Sequence, residues 1–121
     1  GYVDDEALPA LYRRAAVVAY PSLEEGFGLP VLEALACAAP TVTTRGTAMA
    51  EVAGDAALLV DTHDPRGLTE ALTACLDDSA PTRELRTRGP RVAAGYTWEA
   101  SAAAHVEAYR HAVHGTEAST A

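Results

Sequence analysis

The stretch Ala15-Ala16-Val17-Val18-Ala19-Tyr20-Pro21-Ser22-Leu23-Glu24-Glu25-Gly26-Phe27-Gly28-Leu29-Pro30-Val31-Leu32-Glu33-Ala34 decides how the chain folds. Its first six residues form a short apolar run closed by Pro21-Ser22, the pattern of a parallel strand covered on both faces. A loop follows from Ser22 to Gly28. Pro30 suits the first turn of a helix, where its missing N–H would be unpaired anyway, and Leu32, Leu35, Ala36 and Ala39 then make an inward stripe. Pro40 stops that helix.

The same alternation extends in both directions. Upstream, Asp4-Asp5-Glu6 followed by Leu8, Leu11, Tyr12 and Ala15 predicts a first helix. Downstream, Thr41–Thr44 reads as a second strand, Ala48–Val52 as a short helix and Ala56–Val60 as a third strand before an Asp61–Asp64 turn. Pro65 opens a helix with Leu68, Ala71, Leu72, Cys75 and Leu76 inward. A further helix is expected from about Thr82, broken by Gly89-Pro90. The last helix, after Thr97, should turn Trp98, Ala102, Val106, Tyr109 and Val113 inward, ahead of a polar, mobile tail at 115–121. Short strands separated by helices require right-handed crossovers and a parallel sheet, so the class is α/β with a Rossmann-like layout of about three strands flanked by helices. In such sheets the ligand crevice lies beyond the carboxyl ends of the strands, which directs attention to the loops after Tyr20, Thr44 and Val60.

Composition narrows the function. The 121 residues are 49% hydrophobic, much of it Ala, with no Ile, Lys, Asn or Gln, so the core rests on Leu and Val. A net charge of −8, with nine Arg against seventeen acids, provides no basic stripe for a nucleic-acid backbone. No apolar run approaches the ~20 residues of a membrane span. Cys37 and Cys75 stand apart among apolar helix residues and read as buried thiols of a reducing compartment.

Chemistry is concentrated after the first strand. Gly26 and Gly28 allow the backbone to approach a ligand closely, and the helix opening at Leu29-Pro30 offers unpaired amides and a positive dipole end to a phosphate. Glu33, about one turn into that helix, could accept two hydrogen bonds from a vicinal diol such as a ribose. Glu25 would face a group on the other side of the phosphates. The plainer readings stand beside these: an acid in a first helical turn is usually solvated and worth about 0.3–1 kcal/mol through the dipole, the glycines could serve a turn, and Phe27 could be a packing anchor. His63, His105, His111 and His114 lack the carboxylate or Cys partners that would complete a metal set. Arg83, Arg86, Arg88 and Arg91 with Glu84 form either a solvated helix face or a docking surface.

The segment resembles the Glu-x7-Glu motif of the retaining GT-B glycosyltransferases of family 4, with Glu25 and Glu33 as its acids. The resemblance extends to Leu8-Pro9-Ala10-Leu11-Tyr12, Pro21-Ser22, Glu51-Val52-Ala53-Gly54-Asp55-Ala56-Ala57 and Tyr96-Thr97-Trp98-Glu99, nearly the whole chain. It implies the second half of a GT-B donor-binding domain, residues 1–114, in a cytoplasmic enzyme, peripheral at the inner membrane face where its acceptor is lipid-linked. The donor would be a nucleotide-diphosphate sugar, and a glycan or lipid-linked acceptor would bind an N-terminal domain outside this chain. Carried over, Glu25 is the catalytic and sugar-contacting acid, Gly26, Phe27, Gly28 and Leu29 meet sugar and diphosphate, and Glu33 binds the ribose. No cofactor and no metal are expected.

Three departures qualify the resemblance. Ala38 stands where the family commonly has a Gly at the left-handed helix end, and Ala50 where it often has Pro. The family's Gly-rich loop with its Arg and Lys is missing, and Gly1-Tyr2-Val3 looks like the end of an earlier strand. The chain is therefore expected to be inactive alone, because the charge that develops on a departing diphosphate needs preorganised cations. Arg45, after the second strand, is the nearest candidate phosphate contact. The alternative from another class is a non-catalytic truncated module that binds a nucleotide or protein partner weakly.

Overall fold

A computed structural model describes residues 1–114; the tail expected at 115–121 lies outside them. The described residues form α1 (Leu8–Arg14), β1 (Val18–Tyr20), α2 (Leu29–Ala36), β2 (Thr41–Thr44), α3 (Ala48–Ala53), β3 (Leu58–Val60), α4 (Pro65–Leu76), α5 (Ala80–Ala93) and α6 (Trp98–His114). The three strands pair in parallel in the order β1-β2-β3, with Tyr20 opposite Thr43 and Thr44 opposite Val60. The expected α/β, Rossmann-like partial sheet is the fold found.

Helices cover both faces. On one, Val31 and Leu35 of α2 and Met49 and Ala53 of α3 bury with Ala56 and Ala57, and Tyr20 and Val92 pack against them. On the other, Val42, Val60 and Cys75 form a second cluster joined by Leu68, Ala71 and Leu72 of α4. β2, central in the sheet, is buried along its whole length.

Several local expectations change. β1 starts at Val18 because Ala15 is spent closing α1, its N–H bonded to the Tyr12 carbonyl. As an edge strand of this sheet, β1 also leaves Ala19 exposed rather than covered on both faces. β3 begins at Leu58, since Ala56 bonds back to Ala53 and completes the turn after α3. The buried face of α2 is Val31, Ala34 and Leu35, so Leu32 and Ala36 sit to the side of the stripe assigned to them. Leu76 and Cys37 are also less covered than expected, Leu76 exposed and Cys37 half-buried, whereas Cys75 is buried.

α5 is continuous through Gly89-Pro90, starting at Ala80 rather than Thr82. Pro90 forfeits one backbone bond, but Gly89 brings α5 against the backbone of α2: a β-carbon there would stand 2.8 Å from the Leu35 carbonyl oxygen. Packing against α2 offsets the lost bond. Thr82 ties the start of α5 to α4 through the Ala74 carbonyl at 2.8 Å.

The largest difference is α6. None of its residues is buried, and Trp98 is 88% exposed. The stripe of Trp98, Val106, Tyr109 and Val113 is real as a pattern on the helix but has no cover among the described residues.

Candidate functional site

The segment after β1 lies where parallel sheets bind ligands, at the carboxyl edge. Tyr20 ends β1, and its carbonyl accepts a hydrogen bond from Thr43 Oγ1 of β2 at 3.0 Å. That anchors the start of the loop. Gly28 anchors its end, with φ of 90° as N-cap residue of α2 and its carbonyl accepting the N–H groups of Val31 and Leu32. Gly28 is buried against Met49 of α3, so here both the left-handed backbone and the missing side chain are required.

The predicted site residues stand between these anchors and on the helix that follows. Glu25 is half-buried, its Oε1 accepting the Tyr20 hydroxyl at 2.8 Å and the Ser22 hydroxyl at 3.2 Å. Gly26 is exposed with open space around its α-carbon. Phe27 leaves the loop to meet Tyr96 edge-to-face at 5.9 Å, and Leu29 is exposed at the start of α2. The amides of Phe27, Gly28 and Leu29 have no acceptor among the described residues. Glu33 lies on the exposed side of α2, its Oε2 accepting the Tyr12 hydroxyl from α1 at 3.2 Å. Strand, loop and helix therefore carry two acids on either side of a run of free amides.

Two phenols feel these acids. Burial, and after it the charge and hydrogen bond of Glu33, pushes Tyr12 up to about 12. The bond to Glu25, before any burial, raises Tyr20 above its ordinary value. Both tyrosines stay protonated donors at neutral pH.

Arg45 is placed after β2, but its Nε is 3.0 Å from Asp61 Oδ1 and its Nη2 is 3.2 Å from the Leu59 carbonyl. It ties the ends of β2 and β3 together at the surface. Arg88 likewise reaches Asp55, and Arg86 the Ala38 carbonyl, so these members of the arginine group serve internal contacts. No group of three or more His, Cys, Asp and Glu side chains is arranged to hold a metal among the described residues.

Two concavities flank the motif. One of about 590 Å³ is lined by Phe27, Leu29, Leu32, Tyr96 and Trp98, and one of about 480 Å³ by Leu8, Tyr12, Arg13, Glu33 and Cys37. Sequence reading did not single out Tyr12, Tyr20 or Met49 for these roles. The contacts of Tyr12 and Met49 cross between elements, and spacing along the chain carries no signal of them; for Tyr20, five residues before Glu25, only the turn of the loop brings the two together.

A parallel sheet bearing an acid-flanked glycine loop at its carboxyl edge is the arrangement expected of a partial GT-B domain, and the comparisons agree with it. The chain belongs to the family described as group 1 glycosyl transferases, which it matches over residues 1–78. It is 41% identical over 111 residues to O-antigen chain mannosyltransferase B of Escherichia coli, covering 91% of this chain and 29% of that protein. It is 44% identical over 112 residues to a D-inositol 3-phosphate glycosyltransferase of Kineococcus radiotolerans, covering 84% and 26%. Its structure is similar to sucrose-phosphate synthase of Thermosynechococcus elongatus, with a TM-score of 0.79 at 30% identity over 95% of this chain and 30% of that one. The chain thus spans less than a third of the length of these relatives. No helix among the described residues is long and apolar enough to cross a membrane.

Proposed function

We propose that this chain forms part of the donor site of a retaining glycosyltransferase that moves a hexose from a nucleotide-diphosphate sugar to a glycan or lipid-linked acceptor. The observation that carries the reading is the run of unpaired amides at Phe27, Gly28 and Leu29, set at a helix start between Glu25 and Glu33. Free N–H groups at a helix N-terminus suit a diphosphate, and acids on either side suit hydroxyl-bearing groups at its two ends. Glu25 would accept hydrogen bonds from the sugar and Glu33 from the ribose.

Transfer breaks the bond between the anomeric carbon and the diphosphate oxygen and forms one from that carbon to the acceptor hydroxyl oxygen, whose proton is released with the nucleoside diphosphate, and charge develops on the leaving group. The loop amides meet part of that charge. Arg45 is held by Asp61 and contributes only if that surface pair opens, so the remaining cations and the acceptor-binding surface are assigned to parts of the enzyme beyond these residues. On this reading the 121 residues alone bind a donor weakly and do not turn it over. The reaction needs no metal from this chain, and the setting is cytoplasmic.

In the full-length protein, Glu33→Ala should weaken nucleotide-sugar binding about tenfold or more, the scale of lost hydrogen bonds to a charged group. Glu25→Ala should lower turnover. Steady-state kinetics that match the wild type in both variants would refute the assignment.

A further inference from the structure

The two acids share an arrangement that their spacing does not require. Glu25 Oε1 takes the hydroxyls of Tyr20 and Ser22, while its Oε2 has no partner among the described residues. Glu33 Oε2 takes the hydroxyl of Tyr12, while its Oε1 has none. Each carboxylate is held by one oxygen and open at the other.

We propose that Tyr12 and Tyr20 are positioning residues for this acid pair: each phenol fixes one carboxylate oxygen and thereby presents the other to the ligand. The inference rests on the donor-site reading above. A glutamate on an exposed helix face samples several rotamers, and ordering it on binding opposes affinity; a donor already in place removes part of that cost. A phenol is a suitable holder because only two torsions place its hydroxyl. Both tyrosines are themselves constrained. Tyr20 packs against the cluster of Val31, Leu35 and Met49 and is pinned through its carbonyl by Thr43. Tyr12 belongs to α1, is half-buried and reaches across to α2.

The two tyrosines hold different acids, so they should affect different parts of the donor. In the full-length protein, affinity is measured by calorimetry for the diphosphates of uridine, guanosine and adenosine, and for UDP-glucose and GDP-mannose. Tyr12→Phe should weaken diphosphate binding about three- to tenfold, the cost of ordering one flexible side chain on binding, and should have no further effect in a Glu33→Ala background. Tyr20→Phe should leave diphosphate affinity unchanged and reduce the preference for the nucleotide sugar over the diphosphate. Phenylalanine keeps the ring packing, and the double-mutant cycle separates action through Glu33 from a general loosening of α1.

The outcomes are distinct. A wild type that binds none of these nucleotides, or a Glu33→Ala variant that binds them as the wild type does, overturns the donor-site reading and this inference with it. If Glu33→Ala weakens binding but Tyr12→Phe does not, or weakens it equally in both backgrounds, the positioning role of Tyr12 is overturned while the donor site stands. An unchanged sugar preference in Tyr20→Phe overturns the role of Tyr20 in the same way.

Discussion

A β-carbon placed on Gly28 would lie 2.6 Å from Cγ of Met49. Gly28 closes the loop that carries Glu25, and Met49 comes from α3, so the fit of α3 beneath the loop fixes where α2 begins. Met49 is fully buried, and its sulfur stands 3.5 Å from Thr43 Oγ1, the hydroxyl that also pins the carbonyl of Tyr20. Both ends of the loop are thus referred to the same two side chains.

Gly28→Ala should cost about 2–3 kcal/mol, combining an overpacked contact with a left-handed alanine. The measurement is urea denaturation. Met49→Ala in the same chain relieves the contact, so the double variant should be more stable than the sum of the two single losses. Strict additivity would show that the contact is not the cause.

Ala38 holds the left-handed position at the end of α2, with φ of 58°. Its N–H bonds to the Leu35 carbonyl and that of Ala39 to the Ala34 carbonyl, so the turn forms as it would with glycine. The departure noted in the sequence therefore leaves the turn's shape intact and carries its cost as strain. Ala38→Gly should raise stability by about 0.5–1 kcal/mol, the relief of strain less the added freedom of the unfolded chain. A lower denaturation midpoint would contradict this.

Thr44 ends the buried central strand, and its Oγ1 is buried without a hydrogen-bond partner among the described residues. Replacing it with the isosteric Val removes an unpaired hydroxyl, and Thr44→Val should stabilise by about 1 kcal/mol. Thr43→Val provides the contrast, because the Thr43 hydroxyl is bonded and its loss leaves the Tyr20 carbonyl short of a donor. That variant should destabilise by about 1–2 kcal/mol. Opposite signs at these neighbouring positions are the result to look for in chemical denaturation.

Tyr12 gives the fold a high-pH limit. Its folded value is raised from 10 to about 12, so the fold favours the neutral phenol. For a raised group the stabilisation is complete below the unfolded value and is lost as pH climbs through the folded one. Wild-type stability should therefore fall between pH 10 and about 12 more steeply than that of Tyr12→Phe. Equal slopes for the two proteins would show that Tyr12 is not the group responsible.

The chain order told much by itself. The apolar run ending at Tyr20, the Thr41–Thr44 strand and the helix openings at Pro30 and Pro65 are local signals, because propensity and proline geometry act over a few residues. They determined an α/β chain with a glycine loop at the carboxyl edge and an acid on each side of it. What sequence could not determine depended on contacts between elements. Gly89-Pro90 reads as a break until α2 is seen pressed against it, where the close approach that only glycine permits outweighs the bond Pro90 cannot make. The stripe on α6 reads as inward-facing, yet periodicity reports only that one side of a helix is apolar, not what covers it. Tyr12 and Tyr20 carry no mark of their partners, because a hydrogen bond between side chains depends on how the packed sheet and helices turn them toward each other. The sequence singled out the residues proposed for the site; the packing of α1, α3 and β2 around the loop decided which way its acids face.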